Sequence, residues 1–253
     1  MSVLIRASLS RIAPLPAFTV EPLPHVDWAT GDYVLGEVSG LPGQGVGIEL
    51  TDGRMMQVDL GDRVLGAFGV RCATLEATGT WEGIGPDGRM SAMTAAGLFG
   101  RLSSRSPLIP NLIELCYRGH VLADGRKATM GAFALPHSGH DFTQPVLLVI
   151  GSSMSAGKTR TAQILIRRLR ALGLRVLAAK LTGAGRYRDL LAMRDAGAEW
   201  VFDFVDAGLP STVCPVAEYR QAATALLSRM ALAAADVAVI EAGASPLEPY
   251  NGD

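Results

Sequence analysis

The pattern of apolar and polar residues changes partway along the chain. Up to about residue 135, short apolar segments are separated by turn-forming pairs such as Asp52-Gly53 and Asp87-Gly88. Short strands at intervals of roughly 8–12 residues are typical of an antiparallel barrel or sandwich. One helix is predicted to interrupt them near residues 109–117. The sequence therefore predicts a β-rich, barrel- or sandwich-like N-terminal domain over residues 1–135.

Residues 135–144 have the polar, turn-forming composition of a linker, and a different pattern follows them. The continuous apolar run at 146–150 predicts a strand buried on both faces. Further strands are predicted at 175–180, 200–204 and 237–240, and helices at 158–172, 188–198 and 217–233. This alternation indicates an α/β domain with a mostly parallel sheet over residues 145–253. No closing element follows the last strand, so we expect this domain to be truncated or completed by a partner.

Composition and charge limit the kinds of molecule that the chain is expected to bind. The chain is 49% hydrophobic and 19% charged, with a net charge of −1 and no long basic stripe of the kind that binds nucleic acid. Its apolar runs are shorter than the roughly 18–20 residues that span a bilayer, and no secretory signal is recognisable. The three cysteines are scattered, so no disulfide framework or cysteine-rich zinc site is expected. These features predict a cytoplasmic protein that binds neither nucleic acid nor membrane.

The segment 151–159 carries the strongest chemical signal, because it joins a predicted strand to a predicted helix and reads Gly-Ser-Ser-Met-Ser-Ala-Gly-Lys-Thr. Glycines let backbone N–H groups close around an anion, and the helix directs its positive end at that anion. Lys158 can reach the β- and γ-phosphates, and the Thr159 hydroxyl can ligate magnesium. The segment is therefore predicted to be the phosphate-binding loop of an α/β P-loop domain. The predicted nucleotide-binding residues are Gly151, Ser152, Ser153, Ser155, Ala156, Gly157, Lys158 and Thr159.

The spacing of this loop departs from the standard G-x-x-x-x-G-K-[ST] pattern, since residue 152 is serine and the first glycine stands one position earlier. In this respect the loop resembles that of dethiobiotin synthetase, G-T-D-T-x-V-G-K-T, with Ser153 in place of the aspartate. Residues 178–183 and 238–244 are similar to two further motifs of that family, in the same order. The resemblance extends from 145 to 245 and includes the molybdopterin-guanine-dinucleotide accessory GTPases. It implies membership of the superfamily and does not imply the biotin reaction.

Charged residues at the predicted strand ends complete the candidate site. Glu241 ends an apolar strand at the sheet edge where ligands of α/β proteins bind, so we expect it to ligate magnesium or orient water. The alternative is a salt-bridged strand end. The resemblance implies that Lys180 meets the substrate or the transferred phosphoryl group, the alternative being a lysine that reaches solvent. It also implies an acidic magnesium ligand at Asp189, for which Asp203 and Asp206 compete.

The predicted catalytic residues are thus Lys158, Lys180 and Glu241, and the predicted metal ligands are Thr159, Glu241 and Asp189. ATP or GTP with Mg²⁺ is the predicted cofactor. The resemblance implies transfer of the γ-phosphoryl group to a small anionic substrate, or ATP-dependent ligation of that substrate. The alternative is a nucleotide-gated regulatory or accessory module with slow hydrolysis. A homo-oligomer is also expected.

Overall fold

The chain folds into two compact units. The computed structural model describes residues 3–73, 75–152, 156–245 and 248–252. One unit comprises Met1–Phe133 together with Ala184–Tyr187, and the other comprises Ala134–Gly183 and Arg188–Asp253. Each unit therefore has its own sheet and its own buried core.

Twelve strands lie in the first unit, and short 3₁₀ helices at Ser8–Ile12, His25–Asp27, Trp81–Gly83 and Met130–Phe133 connect some of them. The strands are β1 (Leu4–Arg6), β2 (Thr19–Glu21), β3 (Tyr33–Gly40), β4 (Ile48–Glu49), β5 (Met55–Met56), β6 (Arg63–Phe68), β7 (Val70–Ala73), β8 (Ala77–Thr80), β9 (Arg89–Thr94), β10 (Leu98–Arg105), β11 (Glu114–Ala123) and β12 (Arg126–Lys127).

Ten of these strands form one mixed sheet, and β4 pairs with β5 separately. Within the sheet, β6-β3-β11-β9-β10 are consecutive neighbours, and β10 also pairs with β6, which closes a ring of five strands. Strands β1 and β10 run parallel to β6, whereas β3 runs antiparallel to it. Buried apolar side chains from the ring strands form one core cluster that includes Val34, Val64, Phe68, Phe99 and Leu115.

The second unit alternates strands and helices around a four-stranded sheet. Its elements are β13 (Val146–Val149), α1 (Lys158–Ala171), β14 (Val176–Thr182), α2 (Tyr187–Asp195, of which the first residue is assigned to the first unit), β15 (Trp200–Asp203), α3 (Val216–Met230) and β16 (Val237–Ala242). The strand order is β13-β16-β14-β15, and all the pairings are parallel.

Both faces of the four-stranded sheet are packed against helices. On one face, Ala178 and Val239 pack in a cluster with Ile166 of α1 and Met193 of α2. On the other face, Leu177, Ala179 and Ile240 pack with Leu226 and Met230 of α3. Successive residues of a strand point to opposite faces, so the apolar residues 176–179 of β14 contribute alternately to the two clusters.

The predicted fold class was wrong. Across the part of the chain that is described there are sixteen strands and three α-helices, so the chain is β-rich and is not a helix-rich α/β P-loop protein. The larger sheet is also mixed, because both β1 and β10 run parallel to β6. Local alternation of residue types predicts that a segment is extended, but strand direction is set by pairings between segments distant in sequence.

Two individual elements also differ from prediction. The helix expected near 109–117 is replaced from Glu114 onward by strand β11, in which Leu115 pairs with Val38 and Met90. The strand expected at 146–150 exists, but its predicted burial on both faces was wrong, because β13 is an edge strand with exposed apolar residues. Burial on both faces depends on whether helices cover the strand, and the local sequence does not carry that information.

Candidate functional site

The candidate residues meet at one edge of the second unit's sheet. Because its strands are parallel, their carboxyl ends lie along the same edge. In the register of the sheet, Glu241 of β16 lies opposite Val149 of β13 on one side and Lys180 of β14 on the other. Asp203 lies opposite Lys180 on the next strand. The loop that follows β13 therefore begins beside the end of β16, one strand away from β14.

Two glycines shape the loop between β13 and α1. Gly157 has a φ of 82° and immediately precedes α1, and left-handed backbone of this kind favours glycine. A Cβ atom on Gly151 would lie 3.0 Å from Cγ of Lys158, so glycine there leaves room for the lysine stem. Ser152 and Ala156 are exposed, whereas Ser153 and Ser155 lie outside the described residues.

The N-terminus of α1 is suited to an anion. In the described part of the loop no side chain caps this end by a hydrogen bond, and no acidic residue lies in the first helical turn. The first N–H groups of a helix lack intrahelical acceptors, and the helix dipole places partial positive charge there. This end of α1 therefore has the features of a phosphate-binding helix terminus.

Lys158, Thr159 and Glu241 lie together beside this terminus. The side chain of Lys158 is buried, although its charge would ordinarily keep it in water. The Thr159 hydroxyl donates a hydrogen bond to Oε1 of Glu241 at 3.1 Å. Oε2 of Glu241 is buried and has no hydrogen-bond partner within the described residues. A carboxylate oxygen without a donor is costly inside a protein and is a natural position for a ligand atom.

Lys180 is buried at the end of β14, so the alternative of a solvent-facing lysine does not hold. Its Nζ donates to Oδ2 of Asp189 at 2.5 Å. A Cβ atom on Gly243 would lie only 2.4 Å from Cε of Lys180 and 2.3 Å from the carbonyl oxygen of Thr182. The lysine stem therefore lies directly over the backbone of Gly243, and a larger residue there would displace it.

The charges of the cluster influence each other strongly. Burial lowers the pKa of Lys158, and the Lys180 cation lowers it further, while Glu241 partly offsets both. Burial also opposes the charge of Lys180, but the carboxylates of Asp189, Glu241 and Asp203 outweigh it and raise the pKa of this lysine. Burial is the main cause that raises the pKa of Glu241. The charged form of Lys180 is thus stabilised, whereas the charged form of Glu241 is less stable than it would be in water.

The three competing aspartates occupy different environments. Asp189, in the first turn of α2, pairs with Lys180. Oδ1 of Asp203 accepts hydrogen bonds from the N–H groups of Val205 at 2.9 Å and Asp206 at 3.3 Å. Oδ2 of Asp206 accepts from the N–H of Asp203 at 2.9 Å. Asp203 and Asp206 therefore stabilise the turn after β15, and Asp189 bonds to the candidate catalytic residue Lys180.

Thr212 supports the site and was missed in the sequence. Its hydroxyl accepts a hydrogen bond from the N–H of Gly183 at 3.0 Å and donates to the carbonyl oxygen of Tyr250 at 2.6 Å. It thereby connects the turn after β14 to the end of the chain. A threonine in an irregular segment carries no local signal of such a role, because its partners are about 30 to 40 residues away.

Glu248 was missed as well. Its Oε2 accepts a hydrogen bond from the N–H of Ser245 at 3.1 Å, and its negative charge favours the charged form of Lys158, raising the pKa of that lysine. The segment after β16 therefore contributes to the electrostatics of the site.

Within residues 3–73, 75–152, 156–245 and 248–252, no group of three or more His, Cys, Asp or Glu side chains is placed to hold a metal ion. The described helices include none with the length and apolar character needed to cross a membrane.

Comparison of the chain with protein-family models, with curated proteins and with solved structures gave no match.

Proposed function

We propose that the chain binds a nucleoside triphosphate, ATP or GTP, with Mg²⁺, and transfers its γ-phosphoryl group to a small anionic substrate or uses it to ligate that substrate. One observation carries the proposal. Two buried lysines, Lys158 and Lys180, and the buried carboxylate of Glu241 meet at the sheet edge where α1 begins. Buried charges of both signs are rare in structural roles and frequent at functional sites.

The triphosphate would lie at the N-terminus of α1. Backbone N–H groups of the loop and helix would bind phosphate oxygens, and Lys158 would approach from beside Gly151. Because Lys158 is buried, its attraction to phosphate is screened less than it would be in water. The lowered pKa of Lys158 in the ligand-free protein has the same physical origin, since that charge lacks the hydration it would have in water.

Magnesium fits the oxygen atoms that are present. The ion prefers hard oxygen ligands and usually binds through one or two carboxylates, phosphate oxygens and water. Glu241 offers a buried oxygen, Oε2, without a hydrogen-bond partner in the described chain, and Thr159 offers a hydroxyl bonded to the same carboxylate. When bound, the ion would neutralise charge on the phosphate oxygens.

Lys180 would orient the anionic substrate. Asp189 holds its Nζ, while the absence of side chains at Gly183 and Gly243 leaves backbone close to the lysine stem. The raised pKa of Lys180 keeps it cationic at neutral pH, which suits a carboxylate or carbamate oxygen as partner. Catalysis would consist mainly of positioning and of stabilising the charge on the transferred group.

Nucleotide binding is tested with Lys158→Met, which keeps the buried stem and removes the charge. We expect isothermal titration calorimetry with ATP or GTP and Mg²⁺ to show roughly 10- to 100-fold weaker binding, because a charge-assisted contact contributes about 1.5–3 kcal/mol. Arg160→Ala is the matched control, since it removes a positive charge from an exposed position on the same helix. Equal affinities for wild type and Lys158→Met would refute the proposed phosphate site.

Turnover is tested with Glu241→Gln, which keeps the shape and the bond from Thr159. We expect nucleotide still to bind in the presence of Mg²⁺ but phosphate release to slow by about 100-fold, because charge stabilisation dominates phosphoryl transfer. Release at the wild-type rate would assign Glu241 a structural role. Slow release in the wild type, unaffected by anionic metabolites, would favour a nucleotide-gated module.

A further inference from the structure

Strand β13 presents an exposed apolar edge. The exposed fractions are 44% for Val146, 40% for Leu147, 60% for Leu148 and 64% for Ile150, which follows the strand. No residue from 142 to 157 is charged. Natural edge strands are normally protected by charges, proline, bulges or a covering element, because bare edges pair with other strands. Among the described residues, β13 pairs with β16 alone and has none of these protections within the strand.

The direction of the backbone groups identifies the residues that face outward. The N–H of Ala238 donates to the carbonyl of Pro145 at 2.8 Å, so that carbonyl points toward β16. Backbone groups of successive strand residues point alternately to the two sides. Leu147 and Val149 therefore direct their N–H and C=O groups toward β16. Those of Val146 and Leu148 point away from the sheet and are available to a further strand.

We propose that β13 of one copy pairs antiparallel with β13 of a second copy, so that two four-stranded sheets join into one of eight strands. The symmetry axis would pass beside Leu148, which would exchange both backbone hydrogen bonds with its own counterpart. A two-fold axis is the commonest symmetry of homo-oligomers and brings identical patches together. This interface goes beyond the proposed function and does not depend on it.

A second copy is the occupant that the chemistry of β13 favours. In a self-paired strand each residue opposes one from the same short segment, and like charges placed opposite each other destabilise such pairs. Because 142–157 is uncharged, self-pairing meets no such repulsion. The side chains that would face each other are valine and leucine, which pack well across paired strands. Since the strand has only four residues, we expect a dimer that dissociates over micromolar concentrations.

Sedimentation equilibrium on the intact protein tests the interface. The monomer mass is 26.6 kDa, so we expect wild type to approach twice that value as its concentration rises. Leu148→Pro removes the outward N–H without removing a donor to β16, and Leu148→Lys places two positive charges opposite each other. Both should be monomeric, whereas Leu172→Lys, at an exposed leucine after α1, should dimerise like wild type.

Covalent trapping keeps the test decisive if Leu148→Pro fails to fold. Directly opposed residues in a hydrogen-bonded antiparallel pair have Cα atoms about 5.5 Å apart, within reach of a disulfide. Mild oxidation should therefore give a disulfide-linked dimer for Leu148→Cys and not for Leu172→Cys or wild type. A monomeric wild type, dimeric Leu148→Lys, or equal trapping at 148 and 172 would each overturn the proposal. None of these readouts involves nucleotide, so the result is separate from that of the proposed function.

Discussion

Each unit buries a carboxylate near a lysine, but the two clusters are built differently. In the first unit, Asp32 is fully buried and its Oδ2 accepts hydrogen bonds from the N–H of Ala29 at 2.7 Å and from Nζ of Lys127 at 2.8 Å. Nε2 of His120 lies 3.2 Å from the same oxygen, and Nδ1 of His120 lies 2.5 Å from the Tyr117 hydroxyl. This chain of contacts connects the segment before β3 to β11 and β12.

The carboxylate of the second unit is far less satisfied. Each carboxylate has one oxygen without a hydrogen-bond partner in the described residues, Oδ1 of Asp32 and Oε2 of Glu241. The other oxygen of Glu241 accepts a bond from Thr159 at 3.1 Å, against the several partners of Asp32. Burial raises the pKa of Glu241 in spite of the lysines nearby. The difference indicates that the Asp32 cluster stabilises the fold of the first unit. The Glu241 cluster instead destabilises the ligand-free second unit, at a position suited to a ligand.

The largest effect on stability is expected for Asp32→Asn. The substitution keeps the size of the side chain but removes the charge that pairs with Lys127 and leaves one acceptor oxygen in place of two. Breaking a buried pair costs about 3–5 kcal/mol, and the partial exposure of Lys127 reduces this to about 2 kcal/mol. Urea unfolding measures the loss, with Asp52→Asn as the exposed control. A loss no larger than that of the control would mean that the Asp32 cluster is not structural.

The same type of substitution in the second unit should have the opposite effect on stability. We expect Glu241→Gln to stabilise the ligand-free protein at neutral pH by on the order of 1 kcal/mol, since it removes a buried, under-satisfied charge. The raised pKa means that the folded state holds its proton more tightly than the unfolded state, whose value is near 4.5. Wild-type stability should therefore fall, relative to Glu241→Gln, as pH rises above about 4.5.

Thermal unfolding of both proteins across this pH range, without nucleotide or magnesium, measures the effect. The contribution of Lys180 does not overlap with it, because a raised lysine pKa changes stability only as pH rises through the alkaline range. A Glu241→Gln protein that is less stable than wild type at neutral pH would remove the contrast between the two clusters.

The sequence predicted individual elements of the second unit better than it predicted the fold class. The predicted strands at 237–240 and 200–204 correspond to β16 and β15, because apolar runs flanked by turn residues are local signals. The fold class failed because strand number, direction and edge position depend on distant pairings. The burial of Lys180 over Gly243 joins residues more than 60 positions apart, and no local pattern encodes it. The P-loop assignment rests on consecutive residues, which a sequence pattern can represent, and both the assignment and its nucleotide remain predictions.

The smallest expected effect is on the rate of proteolysis of the segment 135–144. The comparison of the two units assumes that they fold separately and that this segment connects them. The N–H of Ser138 donates to Oγ of Ser228 in α3 at 3.0 Å, and the amide of Gln144 donates to the carbonyl of Ala233 at 3.2 Å. Between these attachments, Gly139, His140 and Asp141 are exposed. Exposed polar loops that are held by few bonds open locally and are cleaved first. We therefore expect limited proteolysis to begin within 138–143.

Ser228→Ala removes one of these attachments. A single neutral hydrogen bond contributes about 0.5–1.5 kcal/mol, so the first cleavage should accelerate by roughly 2- to 10-fold when local opening precedes it. Thr224→Ala is the matched control, since the Thr224 hydroxyl donates to the carbonyl of Arg220 one turn earlier on the same helix. Mass spectrometry of the first fragments locates the cut. First cleavage inside either unit, with 138–143 protected, would mean that the two units unfold together. The opposite effects of Asp32→Asn and Glu241→Gln on stability would then have to be measured on a single unfolding transition.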